Sequence, residues 1–211
     1  MTEHEHNEHD GHDHHEHPAH DHHEHHEHVV SYPDAVAQYR AQKDAYYKSG
    51  LHSPIPVGER ETFDGLPYYP VDEALLFDEL RLEPYTGDEP SDFQIPTSDG
   101  KMRPAHRAGY LSFQLGSEAR RLTAYTFDGD GDDGSLFVPF VDATSGSETY
   151  GAGRYLDLER EDDGTYTLDF NLAYHPSCVY DAKFSCPLTP AENRLPVRIE
   201  AGERLAEGAA H

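Results

Sequence analysis

Leu111-Ser112-Phe113-Gln114-Leu115-Gly116 is the stretch that settles the fold class. Apolar residues fill every second position, so an extended chain turns Leu111, Phe113 and Leu115 to one face and Ser112 and Gln114 to the other. Gly116 ends the run with a turn signal. Working outward, Tyr166, Leu168 and Phe170 alternate with Thr167 and Asp169, and Leu80 and Leu82 alternate with charges. Turn residues at Gly116, at Asp130 to Gly134 and at Asp163-Gly164 are expected to join neighbouring runs as hairpins. The spacing predicts about eight strands and no strand-helix-strand crossover. The fold expected is therefore mainly β, a compact antiparallel β barrel or sandwich, with one N-terminal α-helix. That helix starts at Ser31, with Pro33 and Asp34 in a capping arrangement, and stops at Gly50. Val36, Tyr39, Lys43 and Tyr46 or Tyr47 recur at helical spacing between these signals and read as packing surface.

The chain has 211 residues, with 41 acids, 16 bases, 17 histidines and a formal net charge of -25. Its length suits one ordinary domain and a tail. Residues 1–28 read as a disordered His/Asp/Glu-rich tail, and residues 29–211 as a single globular β-rich domain. The acidity repels nucleic-acid phosphates and anionic lipids, and no basic stripe offsets it, so neither nucleic acid nor membrane is expected as a partner. No apolar run approaches membrane-spanning length and no secretion leader is visible, which points to the cytoplasm. Only 4 of the 16 bases are Lys, Trp is absent, and acids occur in every segment. Such a surface suits a salt-loving host, because concentrated ions screen its self-repulsion.

The first 28 residues hold 13 His, 9 Asp or Glu, and no Lys or Arg. His4, His6, His9, His12, His14, His15 and His17 are followed by His20, His22, His23, His25, His26 and His28. Neutral imidazole suits zinc, nickel, cobalt and copper(II), and the interleaved carboxylates can complete a coordination shell. A flexible chain with ligands at separations of one to three reaches many registers, so several weak, exchanging sites are expected. The chemistry implied is binding or buffering of divalent transition metals, fading as pH falls through about 6.5 where imidazole takes a proton.

Several familiar motifs fail. Asp128, Asp130 and Asp132 space like calcium ligands, but the sharp-turn glycine position is Asp133 and the twelfth position is Pro139. No Gly-rich phosphate loop, GxSxG elbow or HExxH pair occurs. Cys178 and Cys186 leave three readings open: packed thiols, a disulfide or redox pair, or zinc ligands together with His175 and an acid or His106.

From residue 136 the sequence runs LFVPFVDATSGSETYGAGRYLDL, then LDFNLAYHPSCVY from 168 and SCPLTPAENRLPVRIEAGE from 185. With TFDGLPYYPVDEAL from 62 and SYPDAVAQYRAQKDAYY from 31, these stretches closely resemble the prokaryotic family named domain of unknown function 1684. The resemblance covers nearly the whole body and leaves out the His-rich tail. It implies a single-domain soluble protein without an established activity. Members typically carry Asn where this chain has His175.

Within those stretches a second chemistry can be read. Glu148 is a candidate proton acceptor, Tyr150 a donor, and Arg154 a bidentate anchor for a small anionic ligand. If Gly164 closes a tight hairpin, Arg154 lies across from Asn171 and diagonal to Asp169, so these three would share one polar face. That constellation suits a small-molecule hydrolase or isomerase. The competing reading is an Arg-carboxylate network that pins the hairpin.

Overall fold

The computed structural model describes residues 30–129 and 133–206. All the described elements belong to the unit Ser31–His211. Helix α1 spans Tyr32–Ser49, with Ser31 as N-cap accepting the Asp34 amide at 3.3 Å and Gly50 as C-cap. Both ends fall where the capping residues place them. Val36 and Tyr47 are buried, whereas Tyr39 and Tyr46 stay exposed, so only part of the expected stripe packs.

Eight strands follow, all antiparallel: β1 (Leu76–Leu80), β2 (Glu83–Pro84), β3 (Asp92–Pro96), β4 (Met102–Leu115), β5 (Glu118–Phe127), β6 (Leu136–Phe140), β7 (Arg154–Leu158) and β8 (Tyr166–Asp169). One sheet has the order β2-β4-β5-β6-β7, with β3 also on β4, and a second joins β1 to β8. Among the described residues no ladder closes either sheet into a barrel. Among the described residues the architecture is mainly β and antiparallel, with one α-helix.

The β4–β5 hairpin is the backbone of the larger sheet. It turns through Gly116 and Ser117, with Leu115 opposite Glu118 and Leu111 opposite Leu122. Leu111 and Phe113 are buried while Ser112 and Gln114 are exposed, as alternation on a one-sided sheet requires. Leu122 and Ala124 of β5, Val138 and Phe140 of β6, Leu156 and Leu158 of β7 and Leu168 of β8 complete this core with the C-terminal Ile199 and Ala201. Phe170 anchors it, with ring centroids 5.1 Å from Phe140 and 5.7 Å from Phe113. Burying each such side chain contributes roughly 1.5–3 kcal/mol.

One expected hairpin does not form. The chain reverses between β7 and β8, with Gly164 at φ +81 and its amide on the Glu161 carbonyl, yet β7 pairs with β6 and β8 with β1. The apolar pairs Val138 with Leu156 and Leu136 with Leu158 hold β7 against β6. Arg154 thus faces Phe140, and Asp169 faces Leu76.

Candidate functional site

Arg154 starts β7 directly after Gly153, whose φ of +101 and close approach to the Phe140 carbonyl and Thr189 leave no room for a side chain. This fixes the arginine inside the protein, where it is fully buried. Its Nη1 donates to the carbonyls of Ala201 and Glu203, and its Nη2 donates to Ile199 O at 2.8 Å and Asp142 Oδ1 at 3.4 Å. Asp142 in turn accepts the Ile199 amide at 2.8 Å and the Thr144 hydroxyl at 2.9 Å. Burial pushes the guanidinium down from its ordinary value and the Asp142 carboxylate pulls it back. The fork therefore clamps the C-terminal segment onto the sheet.

Asp169 and Asn171 meet each other but not Arg154's partners. Asp169 Oδ2 accepts Tyr32 Oη–H at 2.8 Å, and Asn171 Nδ2 donates to Tyr32 Oη, Asp72 O and Asp169 Oδ1 at 2.8–3.0 Å. Asn171 Oδ1 accepts the Asp72 amide at 2.8 Å. Together they tie the start of α1 to the end of β8. Glu148 sits at the surface, paired with Arg198 at 2.6 Å and accepting the Tyr69 hydroxyl at 2.9 Å. Those partners hold its carboxyl below the usual range.

Tyr150 goes elsewhere, to a cleft of about 410 Å³ whose walls include Leu66, Pro67, His175, Cys178 and Leu205. Cys178 lies on the 3-10 turn Ser177–Val179 that opens after Pro176, and its amide donates to Cys186 Sγ at 3.3 Å. Cys186 is fixed from the other side, because its amide donates to Ser98 Oγ at 3.0 Å and its carbonyl accepts the Ser98 amide at 2.8 Å. Cys186 is buried and borders a neighbouring cleft lined by Phe137, Tyr155 and Tyr174. The two thiols thus stand side by side in the wall between two clefts, one half-exposed and one inside.

Donation from the Cys186 thiol, helped by the Ser98 and Tyr150 hydroxyls, holds the Cys178 thiol well below the ordinary range against an opposing burial effect. The same contact and burial push Cys186 up. Burial, then proximity to Cys178, raises the Tyr150 phenol. Of the pair, Cys178 is the one that borders the Tyr150 cleft.

His175 is buried beside them and donates its amide to Glu203 Oε2 at 2.7 Å. Its Nε2 accepts the Tyr150 amide at 3.3 Å, which assigns the ring proton to Nδ1, 3.6 Å from Glu203 Oε2. Glu203 also pairs with Lys43 at 2.6 Å and accepts the Tyr180 hydroxyl at 3.0 Å. Glu203 closes the family-like stretch SCPLTPAENRLPVRIEAGE, but nothing in its spacing singles it out from the other acids there. Among the described residues no three His, Cys, Asp or Glu side chains converge as metal ligands. The zinc reading of His175, Cys178 and Cys186 falls with that, and His106 sits half-buried on β4 against Asp92 at 2.7 Å. The thirteen histidines from His4 to His28 lie outside the described residues, as do Asp130 and Asp132.

No described helix is long and apolar enough to cross a membrane. Comparison with curated proteins finds no match. Among solved structures, the solution structure of an uncharacterized protein from gene locus rrnAC0354 of Haloarcula marismortui is similar, at 37% identity and a TM-score of 0.62, covering 83% of this chain and 95% of that one. A family model described as "Protein of unknown function (DUF1684)" matches residues 61–204, which span both the Arg154 clamp and the thiol pair. The chain belongs to that family.

Proposed function

We propose that the folded body is a thiol-dependent small-molecule protein, working in a reducing cytoplasm, with Cys178 as its nucleophile. One observation carries this reading: half-buried Cys178 borders a 410 Å³ cleft together with Tyr150, and its amide is 3.3 Å from Cys186 Sγ. Thiolate, not thiol, attacks electrophiles, and donors that stabilise the anion raise its population near neutral pH. In this reading Tyr150 donates a hydrogen bond to the Cys178 sulfur. Glu148, Arg154, Asp169 and Asn171 enter as framework: Arg154 and Asp142 fix the segment that carries Glu203, and Glu203 fixes His175 beneath Tyr150.

Alkylation of the full chain by iodoacetamide, followed across pH with peptide mapping, tests the reading. Cys178 is expected to react at pH 7 at least about tenfold faster than an ordinary thiol of pKa near 8.5. Tyr150→Phe should move the Cys178 profile to higher pH, because one donor to the anion is lost. A Cys178 that reacts no faster than free cysteine, with a profile indifferent to Tyr150, would remove the proposal.

A second reading rests on a separate observation, the 22 potential ligating side chains in the first 28 residues. In it the leader binds zinc, nickel, cobalt or copper ions. Calorimetric titration of zinc and nickel into the full chain and into a chain beginning at Val29 decides it. Several weak sites should vanish with the leader, and binding should fade below about pH 6.5 as the imidazoles protonate. Equal binding by both chains would take the leader out of the account.

A further inference from the structure

A nucleophilic sulfur can serve hydrolysis, alkyl transfer or disulfide exchange, and its neighbours decide among them. Hydrolysis through an acyl-sulfur intermediate needs a base for the leaving group and the incoming water. The nearest imidazole does not fill that role, because His175 Nε2 faces the Tyr150 amide and its Nδ1 faces Glu203. Disulfide exchange needs something different: a thiolate that attacks, and a second thiol close enough to displace it.

That second thiol is present. Cys186 Sγ lies 3.3 Å from the Cys178 amide nitrogen, and its own backbone is held by two hydrogen bonds to Ser98, whose strand-end turn is also braced by Ser185 Oγ on Asp99 at 2.7 Å. The leucine two residues on is fixed as well, its amide on the Pro96 carbonyl at 2.8 Å. Cys186 is thus anchored to the β3–β4 turn while Cys178 sits on a short 3-10 turn bordering the cleft. Burial keeps Cys186 behind Cys178, in the position of a resolving rather than an attacking group.

We propose that Cys178 and Cys186 form a dithiol-disulfide couple that reduces low-molecular-weight disulfides admitted to the Tyr150 cleft. This rests on the reading of Cys178 as nucleophile and adds the substrate class and the role of Cys186. In the first step Cys178 thiolate attacks one sulfur of RSSR. A Cys178–SR bond forms, the S–S bond of the substrate breaks, and RS⁻ leaves with the electron pair and takes a proton from solvent. In the second step Cys186, giving its proton to solvent, attacks Cys178 Sγ, closing the protein disulfide and expelling the second RS⁻, which is protonated in turn. The protein loses two electrons and two protons, and RSSR becomes two RSH. Both steps reverse, so the thiol-to-disulfide ratio outside sets the direction.

The full chain, with chelator present, is equilibrated in glutathione buffers of graded oxidation, quenched with acid, alkylated and mapped by mass spectrometry. Wild type should lose two hydrogens and yield a Cys178–Cys186 cross-linked peptide, while Cys186→Ser stops at a glutathione adduct on Cys178. Cys178→Ser should react at least about tenfold more slowly than wild type. If wild type also stops at the adduct, the couple is overturned and the nucleophile reading stands. If neither protein forms adduct or cross-link and Cys178 resists iodoacetamide as well, both readings fall together.

Discussion

At the scale of single residues, the TSGSETYGAGRYLD stretch separates what composition can and cannot say. It announces an acid, a phenol and a guanidinium within seven positions, and all three are in use. Their destinations differ: Glu148 pairs at the surface, Tyr150 lines a cleft, and Arg154 is fully buried on three carbonyls and a carboxylate. A guanidinium that anchors a substrate and one that clamps a loop look identical in sequence. The acceptors that decide the matter, Ile199, Ala201 and Glu203, lie more than forty residues away and act through main-chain atoms that leave no signature. Arg154→Met is accordingly expected to destabilise the fold by about 3–5 kcal/mol in urea titration, since it leaves Asp142 buried without its countercharge. A variant that unfolded at the wild-type midpoint would return Arg154 to the list of ligand anchors. Cys178 and Cys186 were visible as a pair, but their adjacency depends on Ser98, which no local pattern connects to them.

At the scale of elements, the local signals held and one of the expected strand pairings did not. The cap at Ser31, the stop at Gly50 and the two-residue turn at Gly116 are each decided by a few neighbouring residues, so sequence displays them directly. The β7–β8 hairpin had equally good turn chemistry at Gly164 and still failed as a ladder, because β7 matches β6 across the apolar pairs Leu136–Leu158 and Val138–Leu156, and β8 finds β1. On the inner face of α1, Val36, Lys43 and Tyr47 of the expected stripe pack, and Tyr39 and Tyr46 do not. Much of its docking is polar: Arg40 donates to the carbonyls of Tyr69 and Asn171, Lys43 pairs with Glu203, and Tyr32 bridges Asp169 and Asn171. Tyr32→Phe deletes both Tyr32 bonds while keeping the ring. A loss of about 1–2 kcal/mol in urea titration is expected, with faster amide exchange at the start of α1 than at its end. Exchange that rose evenly along the helix would mean that Tyr32 is not the tie.

At the scale of the whole molecule, charge is the property that sequence states most plainly. Removing the leader leaves 32 acids against 16 bases on the body, and the structure gathers several of the acids in one place, with Arg81 near Asp163. Asp78, Glu79, Glu161, Asp162 and Asp163 surround one shallow hollow where β1 approaches the turn before β8. Repulsion at such a place acts over the Debye length, about 10 Å at 0.1 M salt and about 3 Å at 1 M, so dilution lets each acid feel its neighbours. The similar structure from Haloarcula marismortui is compatible with a chain built for concentrated salt. Melting followed by circular dichroism in potassium chloride should therefore show a midpoint that climbs steadily from about 0.1 M to 2 M, with partial loss of structure at the dilute end. The same climb is expected for a chain beginning at Val29, because the acids responsible sit on the body. Neutralising the hollow with Asp162→Asn and Asp163→Asn should shrink the climb, whereas a general effect of salt on apolar burial would leave it unaltered. A midpoint indifferent to salt in both chains would show that the acidic surface is tolerated and not used.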